Sequence, residues 1–113
     1  MADKTLFEKI IDREIPADIL FEDETVIAFM DINPQAPFHA LVCPKKPVAK
    51  VSDAEASDEG VLGHCMTKAA DIAKDAGFED FRLVVNNGAG AGQTVFHIHV
   101  HVLAGRSLTW PPG

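Results

Sequence analysis

Residues Phe96 to Leu103 read Phe-His-Ile-His-Val-His-Val-Leu, with histidine at alternate positions and aliphatic residues in the gaps. A β-strand sorts such a pattern cleanly. Its period is two, so His97, His99 and His101 share one face while Ile98, Val100 and Val102 share the other. The aliphatic row can pack on a helix. The imidazole row needs polar surroundings, and same-face neighbours stand roughly 6.5–7 Å apart, near enough for one phosphate-sized group to touch two rings. The pattern predicts a last strand over Val95–Leu103 that lines a polar site.

The rest of the chain supplies that strand with partners. Thr5-Leu-Phe-Glu8 has the form of a capping box, and Leu6, Phe7, Ile10 and Ile11 follow at helical spacing until Pro16 ends the helix. Ile19-Leu-Phe21 and Val26-Ile-Ala-Phe29 flank Glu22–Thr25 as a hairpin. Two prolines make Asp31–Pro37 a loop, and Phe38–Cys43 is a strand stopped by Pro44. An acidic stretch, Ser52–Glu59, leads into the longest helix. Its stripe is Leu62, Cys65, Met66, Ala69, Ile72, Ala73 and Ala76, with Gly77 as its stop. Phe81–Val85 is a further strand. The order is helix, hairpin, strand, helix, two strands. Short connections favour an α+β domain, an antiparallel sheet with its helices on one face. His64 has no partner pattern and reads as a surface histidine. Lys45-Lys46 reads as a solvated strand end.

A chain of 113 residues has room for one core. Ten basic against 17 acidic residues give a net charge of −7, which excludes a nucleic acid polymer or an acidic membrane as partner. No apolar run approaches the ~18 residues of a membrane span, and Met1–Lys4 carries no signal-peptide core, so a cytoplasmic protein is expected. Cys43 and Cys65 lack C-x-x-C spacing and read as free, buried thiols.

Alternate histidines allow two chemistries. One is zinc ligation, with His39 as a further ligand and no acidic ligand evident alongside. The other is covalent catalysis: neutral imidazole attacks phosphorus near pH 7, and a neighbouring ring stabilises charge or protonates a leaving group. The preceding segment, Asn86-Asn-Gly-Ala-Gly-Ala-Gly-Gln-Thr94, bears on the choice. Its glycines let main-chain N–H groups approach an anion, and Gln93 and Thr94 add side-chain donors. It is neither a Rossmann turn nor a P-loop, because no helix follows and no Gly-Lys-Ser/Thr occurs. The loop instead delivers the chain into the histidine strand. This favours nucleophilic chemistry on a phosphate with no metal and no cofactor.

His97-Ile-His-Val-His-Val-Leu103 resembles the histidine triad (HIT) pattern. The likeness extends through Phe7–Ile11, Ile15-Pro16, Asp31-Ile32, Pro34–Pro37, Pro44–Lys46, Gly92-Gln93 and Trp110-Pro-Pro-Gly113. It points to the Hint branch, homodimeric purine nucleoside phosphoramidases. The resemblance implies a five-stranded antiparallel sheet with two helices, extended across a homodimer, in a single domain over 1–113 with a tail from about 105 to 113. It implies His99 as the nucleophile, His101 at the phosphate, His97 tuning the set and His39 joining the same polar network. Asp31 then matches the ribose-binding position. Phe7, Ile10, Ile15, Phe29 and Ile32 match the purine slot. Asn86, Gly92, Gln93 and Thr94 match phosphate-side contacts, and Trp110 a tail residue near the partner's site. The sequence departs from the pattern at Met30, where histidine is common, at Asn87 in place of an acid, at Thr94 in place of serine, and at Ala104 in place of glycine. The alternative function is a non-catalytic nucleotide-binding or scaffold protein.

Overall fold

The capping box at Thr5 forms. Its hydroxyl accepts the Glu8 N–H at 3.2 Å, and the Glu8 carboxylate accepts the Thr5 N–H at 3.1 Å. Helix α1 runs Leu6–Ile11 from this start. It ends before Pro16 is reached, because Asp12 caps it and Arg13 turns the chain with a left-handed φ of 63°. The computed structural model describes residues 3–113.

The hairpin pairs β1 (Ile19–Glu22) with β2 (Val26–Met30), and the Asp23 carboxylate holds its turn by accepting the N–H groups of Thr25 and Val26. Then come β3 (Phe38–Pro44), α2 (Glu59–Asp75), β4 (Phe81–Val84) and β5 (Val100–Ala104). Every pairing is antiparallel and the spatial order is β1-β2-β3-β5-β4. This is the expected α+β architecture of five strands and two helices. Among the described residues, no helix is long and apolar enough to cross a membrane.

The helices do not share a face. Val26, Ala28, Ala40 and Val42, with Val100 and Val102, pack on Cys65, Ala69, Ile72 and Ala73 of α2. The alternate residues Ile27, Phe29, Leu41 and Cys43 pack on Phe7 and Ile10 of α1. Successive strand residues point to opposite sides, so α1 covers the face that α2 leaves open. The expectation of helices on one face is corrected by this alternation. α1 has only six residues and covers its face incompletely, which leaves room for a cavity beside it.

The histidine segment also differs from expectation, since β5 begins at Val100 rather than Val95. Val42 pairs with Val100, and two residues beyond Val42 stands Pro44, which has no N–H for the ladder. Its carbonyl accepts from His97 Nε2 at 2.6 Å, and the Ile98 N–H turns to the Val48 carbonyl at 2.8 Å. His64 is not a lone surface residue. Its Nε2 meets the Asp23 carboxylate at 2.6 Å and ties α2 to the β1–β2 turn. Lys45 and Lys46 pair with Glu22 and Asp58, each at 2.7 Å. Cys43 and Cys65 are buried free thiols, and burial pushes the Cys65 thiol up to about 12.

Candidate active site

A cavity of about 470 Å³ opens on the α1 face of the sheet, within the range of small-ligand sites. One wall is apolar and comes from α1, the segment after it and the end of β2: Leu6, Phe7, Ile10, Ile15, Pro16, Ala17, Phe29 and Met30. The other wall carries Asp31, His39, Thr94, His99 and His101, with Gly92 at the rim. A slot that is apolar at one end and rich in imidazole at the other suits a molecule with a flat apolar part and an anionic part.

β3 and β5 bring the imidazoles together. Leu41 lies opposite His101 in the ladder, and His39 lies one step along the same face, so His39 Nε2 reaches His101 Nδ1 at 2.9 Å. Asp31, just past β2, sets a carboxylate oxygen 3.4 Å from the same Nε2. The far nitrogen of His39, Nδ1, accepts the main-chain N–H of Gln35 at 3.0 Å. His99 gives its Nδ1–H to the His97 carbonyl at 2.7 Å. A carbonyl only accepts, so the lone pair of neutral His99 sits on Nε2, and no described residue bonds that atom. Phe7 stands edge-on to the His99 ring with centroids 4.8 Å apart and fixes its plane.

Burial lowers the pKa of His39, His97 and His99 below the ordinary imidazole value of 6.5. His101 is pushed down to about 4, first by burial and then by the neighbouring charges of His99 and His39. The four rings are therefore neutral at pH 7, which gives His99 a usable lone pair.

Of the residues expected in the site, Phe7, Ile10, Ile15, Phe29, Asp31, Ile32, His39, Gly92, Thr94, His99 and His101 line the cavity. Ile32 does so from the mouth and is 92% exposed. Four others stand elsewhere. His97 is fully buried beneath the wall, where its carbonyl orients His99 and its Nδ1 has no partner among the described residues. Gln93 is a correction. It is 3% exposed, its amide gives both protons to the carbonyls of Ala49 (2.7 Å) and Val95 (3.1 Å), and its oxygen accepts the Gly88 N–H at 2.8 Å, so neither side-chain N–H is left to donate to a substrate. Asn86 sits beneath Gly92 rather than in the cavity, its amide 3.7 Å from where a Cβ would stand there. Trp110 is 81% exposed on the tail and meets no part of its own chain's cavity. Sequence reasoning missed Gln35, whose contribution is a main-chain N–H that no side-chain pattern signals.

The cluster also corrects the expectation that no acid stands beside His39. Asp31, His39 and His101 offer one ligand atom each within 4.8 Å of one another, a set that can hold a divalent cation.

A family model for the HIT domain matches residues 12–108. The chain belongs to the HIT family. It is 56% identical to an uncharacterized HIT-like protein of Synechocystis over the whole of both chains, and 47% identical to a 14 kDa zinc-binding protein of Zea mays, covering 96% of this chain and 88% of that one. Among solved structures it matches a HIT family hydrolase from Legionella pneumophila with a TM-score of 0.94 and 46% identity, over 97% of this chain and all of that one. A HIT family hydrolase from Clostridium thermocellum matches with a TM-score of 0.92 and 42% identity, over 96% of each chain.

Proposed function

We propose that this HIT protein is a nucleotide hydrolase of the Hint branch that cleaves the P–N bond of purine nucleoside 5′-phosphoramidates. One observation carries the reading: His99 commits its Nδ1–H to the His97 carbonyl, and its Nε2, which no described residue bonds, belongs to a ring that lines the cavity. The apolar wall takes the base, Asp31 the ribose hydroxyls, and the imidazole wall the phosphoryl group. His99 Nε2 attacks phosphorus and the P–N bond breaks. The amine takes a proton from solvent as it leaves. Water then attacks phosphorus and returns a proton to solvent, and Nε2 recovers its lone pair. His101 and Thr94 hold the phosphoryl oxygens while charge develops on them, since the Gly92 and Gln93 N–H groups already donate to the Ala89 and Gly88 carbonyls. We read the chain as a single domain with residues 105–113 as its tail, acting as a homodimer.

The test is turnover of a fluorogenic adenosine phosphoramidate, with acid quench to capture the nucleotidyl-histidine. His99→Ala is expected to abolish turnover while nucleotide affinity stays within about tenfold, or ~1.4 kcal/mol, because the binding contacts are spread over both walls. A variant that kept more than a few per cent of the rate would remove His99 as nucleophile. Nucleotide binding with no turnover by the wild type would leave the non-catalytic reading.

Zinc binding is a second reading. The Asp31–His39–His101 cluster favours it, and so does the name of the Zea mays relative. A cation there would have to break the 2.9 Å hydrogen bond between His39 and His101. Metal analysis of the purified chain separates the readings. The hydrolase reading expects the rate to survive chelation, whereas one tight zinc per chain that the rate requires would replace it.

A further inference from the structure

The chemistry proposed above asks His101 to donate a hydrogen bond, and a neutral imidazole donates from only one of its two nitrogens. Nothing on His101 itself selects which one. The selection starts two groups away, at the main chain of Gln35. That N–H lies 3.0 Å from His39 Nδ1 and can only donate, so Nδ1 carries the lone pair and the proton of neutral His39 sits on Nε2. Two groups face that proton: His101 Nδ1 at 2.9 Å and the Asp31 carboxylate at 3.4 Å. The Asp31 oxygen makes no hydrogen bond to that nitrogen, so it does not oppose this placement and does not fix it. His101 Nδ1 must then offer a lone pair, which leaves its own proton on Nε2. No described residue bonds that nitrogen, and the ring lines the cavity. Each ring must keep a lone pair to accept its hydrogen bond, which leaves it one proton.

We propose that the main-chain N–H of Gln35 is a positioning group that sets the tautomers of His39 and then His101, so that His101 presents Nε2–H to a phosphoryl oxygen. The catalytic consequence rests on the phosphoramidase reading; the tautomers do not. His99 is held in the opposite form by the His97 carbonyl. Two neighbouring rings, centroids 4.9 Å apart, thus offer a donor and a nucleophile from the same ring atom. The Gln35 peptide is itself anchored: its carbonyl accepts from Arg106 Nε at 3.1 Å, and its side-chain amide donates to the Asn33 carbonyl at 3.1 Å.

Two-bond ¹H–¹⁵N correlation on the full chain labelled at histidine distinguishes protonated from lone-pair nitrogens. Near neutral pH, His39 and His101 are expected to show a lone pair on Nδ1 and a proton on Nε2, and His99 the reverse. Gln35→Ala keeps the main-chain N–H and its Arg106 contact, and should keep the tautomers of both rings. Gln35→Pro removes the N–H. It should lose the fixed pattern at His39 and His101 but not at His99, with kcat down roughly tenfold and KM within about twofold. A wild-type spectrum with His101 protonated on Nδ1 overturns the proposal, whether or not the proline variant folds. A folded proline variant with unchanged kcat overturns it too. If the wild-type pattern is found in a protein that does not turn over phosphoramidates, the tautomer assignment stands and the functional reading falls instead.

Discussion

At the scale of the residue, four imidazoles around one cavity are useful only if they stay uncharged, and burial enforces this. His101 titrates at about 4 and His39, His97 and His99 below 6.5. The nucleophile therefore survives mild acid. The rate on a phosphoramidate should hold as pH drops below the free imidazole value and fall only when the buried rings take protons; a half-maximal rate at or above pH 6.5 would contradict this. The same shifts act on stability. The unfolded chain protonates these rings at about 6.5 and the folded one lower, so between the two values the unfolded state binds more protons. Their contribution is complete above 6.5 and is lost as pH falls toward 4. Thermal melts should show Tm dropping in that window, and His101→Gln should flatten the drop. Asp31 is read separately. Asp31→Asn should slow hydrolysis of a ribonucleotide more than that of its 2′,3′-dideoxy analogue, because the hydroxyls it accepts from are gone. An equal loss on both substrates would move its role from the ribose to His39.

At the scale of the element, the glycine loop is held rather than loose. Three bonds stitch it and the histidine segment to residues 48–52: Gln93 Nε2 to the Ala49 carbonyl, the Ser52 N–H to Asn87 Oδ1, and the Ile98 N–H to the Val48 carbonyl. Asn87, which departs from the acid expected there, has this anchoring role. Gly92, at φ 96°, then turns the loop toward Thr94 and the cavity. Gln93→Glu replaces two N–H donors by oxygen facing two carbonyls. It should cost about 1–3 kcal/mol in urea unfolding and raise KM as the rim loosens. A variant with unchanged stability and KM would deny the loop this anchor. Much of this level was legible in the sequence. The capping box at Thr5, the hairpin around Asp23 and the stop at Gly77, with its φ of 94°, are local signals, and each formed; of the α2 stripe Cys65, Ala69, Ile72 and Ala73 are buried, while Met66 and Ala76 face out. The placement of α1 was legible too, in a signal that period-two reasoning passes over. Val26–Phe29 and Ala40–Cys43 are apolar without alternation, and every one of those residues is buried. An unbroken apolar run means a strand covered on both faces. The rest depends on register and long-range contacts. No spacing tells that Asp31, His39 and His101 meet, that Gln93 turns inward, or that Pro44 shortens β5.

At the scale of the whole molecule, the sheet has two edges and they are not alike. β1 is broken by an irregularity between Ile19 and Phe21 and carries Glu22, which suits an edge left to solvent. β4 runs Phe81–Val84 with no proline and a single charge, Arg82, and all four residues are half-buried within one chain. Pairing β4 with its symmetry mate would continue the sheet and remove that edge. The tail points the same way. Arg82 Nη2 donates to the Leu108 carbonyl at 3.3 Å, so the segment after β5 returns alongside β4 before it reaches Trp110. In a dimer built on that edge the indole, 81% exposed on its own chain, would have a second protomer to pack against. Pro111 and Pro112 stiffen such an arm. Light scattering at micromolar concentration should therefore give about twice 12.2 kDa. Phe81→Lys on the β4 edge should shift the chain toward monomer. Deletion of Trp110–Gly113 should leave the dimer and its stability nearly intact while changing the preference among leaving amines, because the arm would border the open side of the partner's cavity. A monomeric wild type would end the argument from the edge. A tail deletion with unchanged rates on every amine tested would end the argument from the arm.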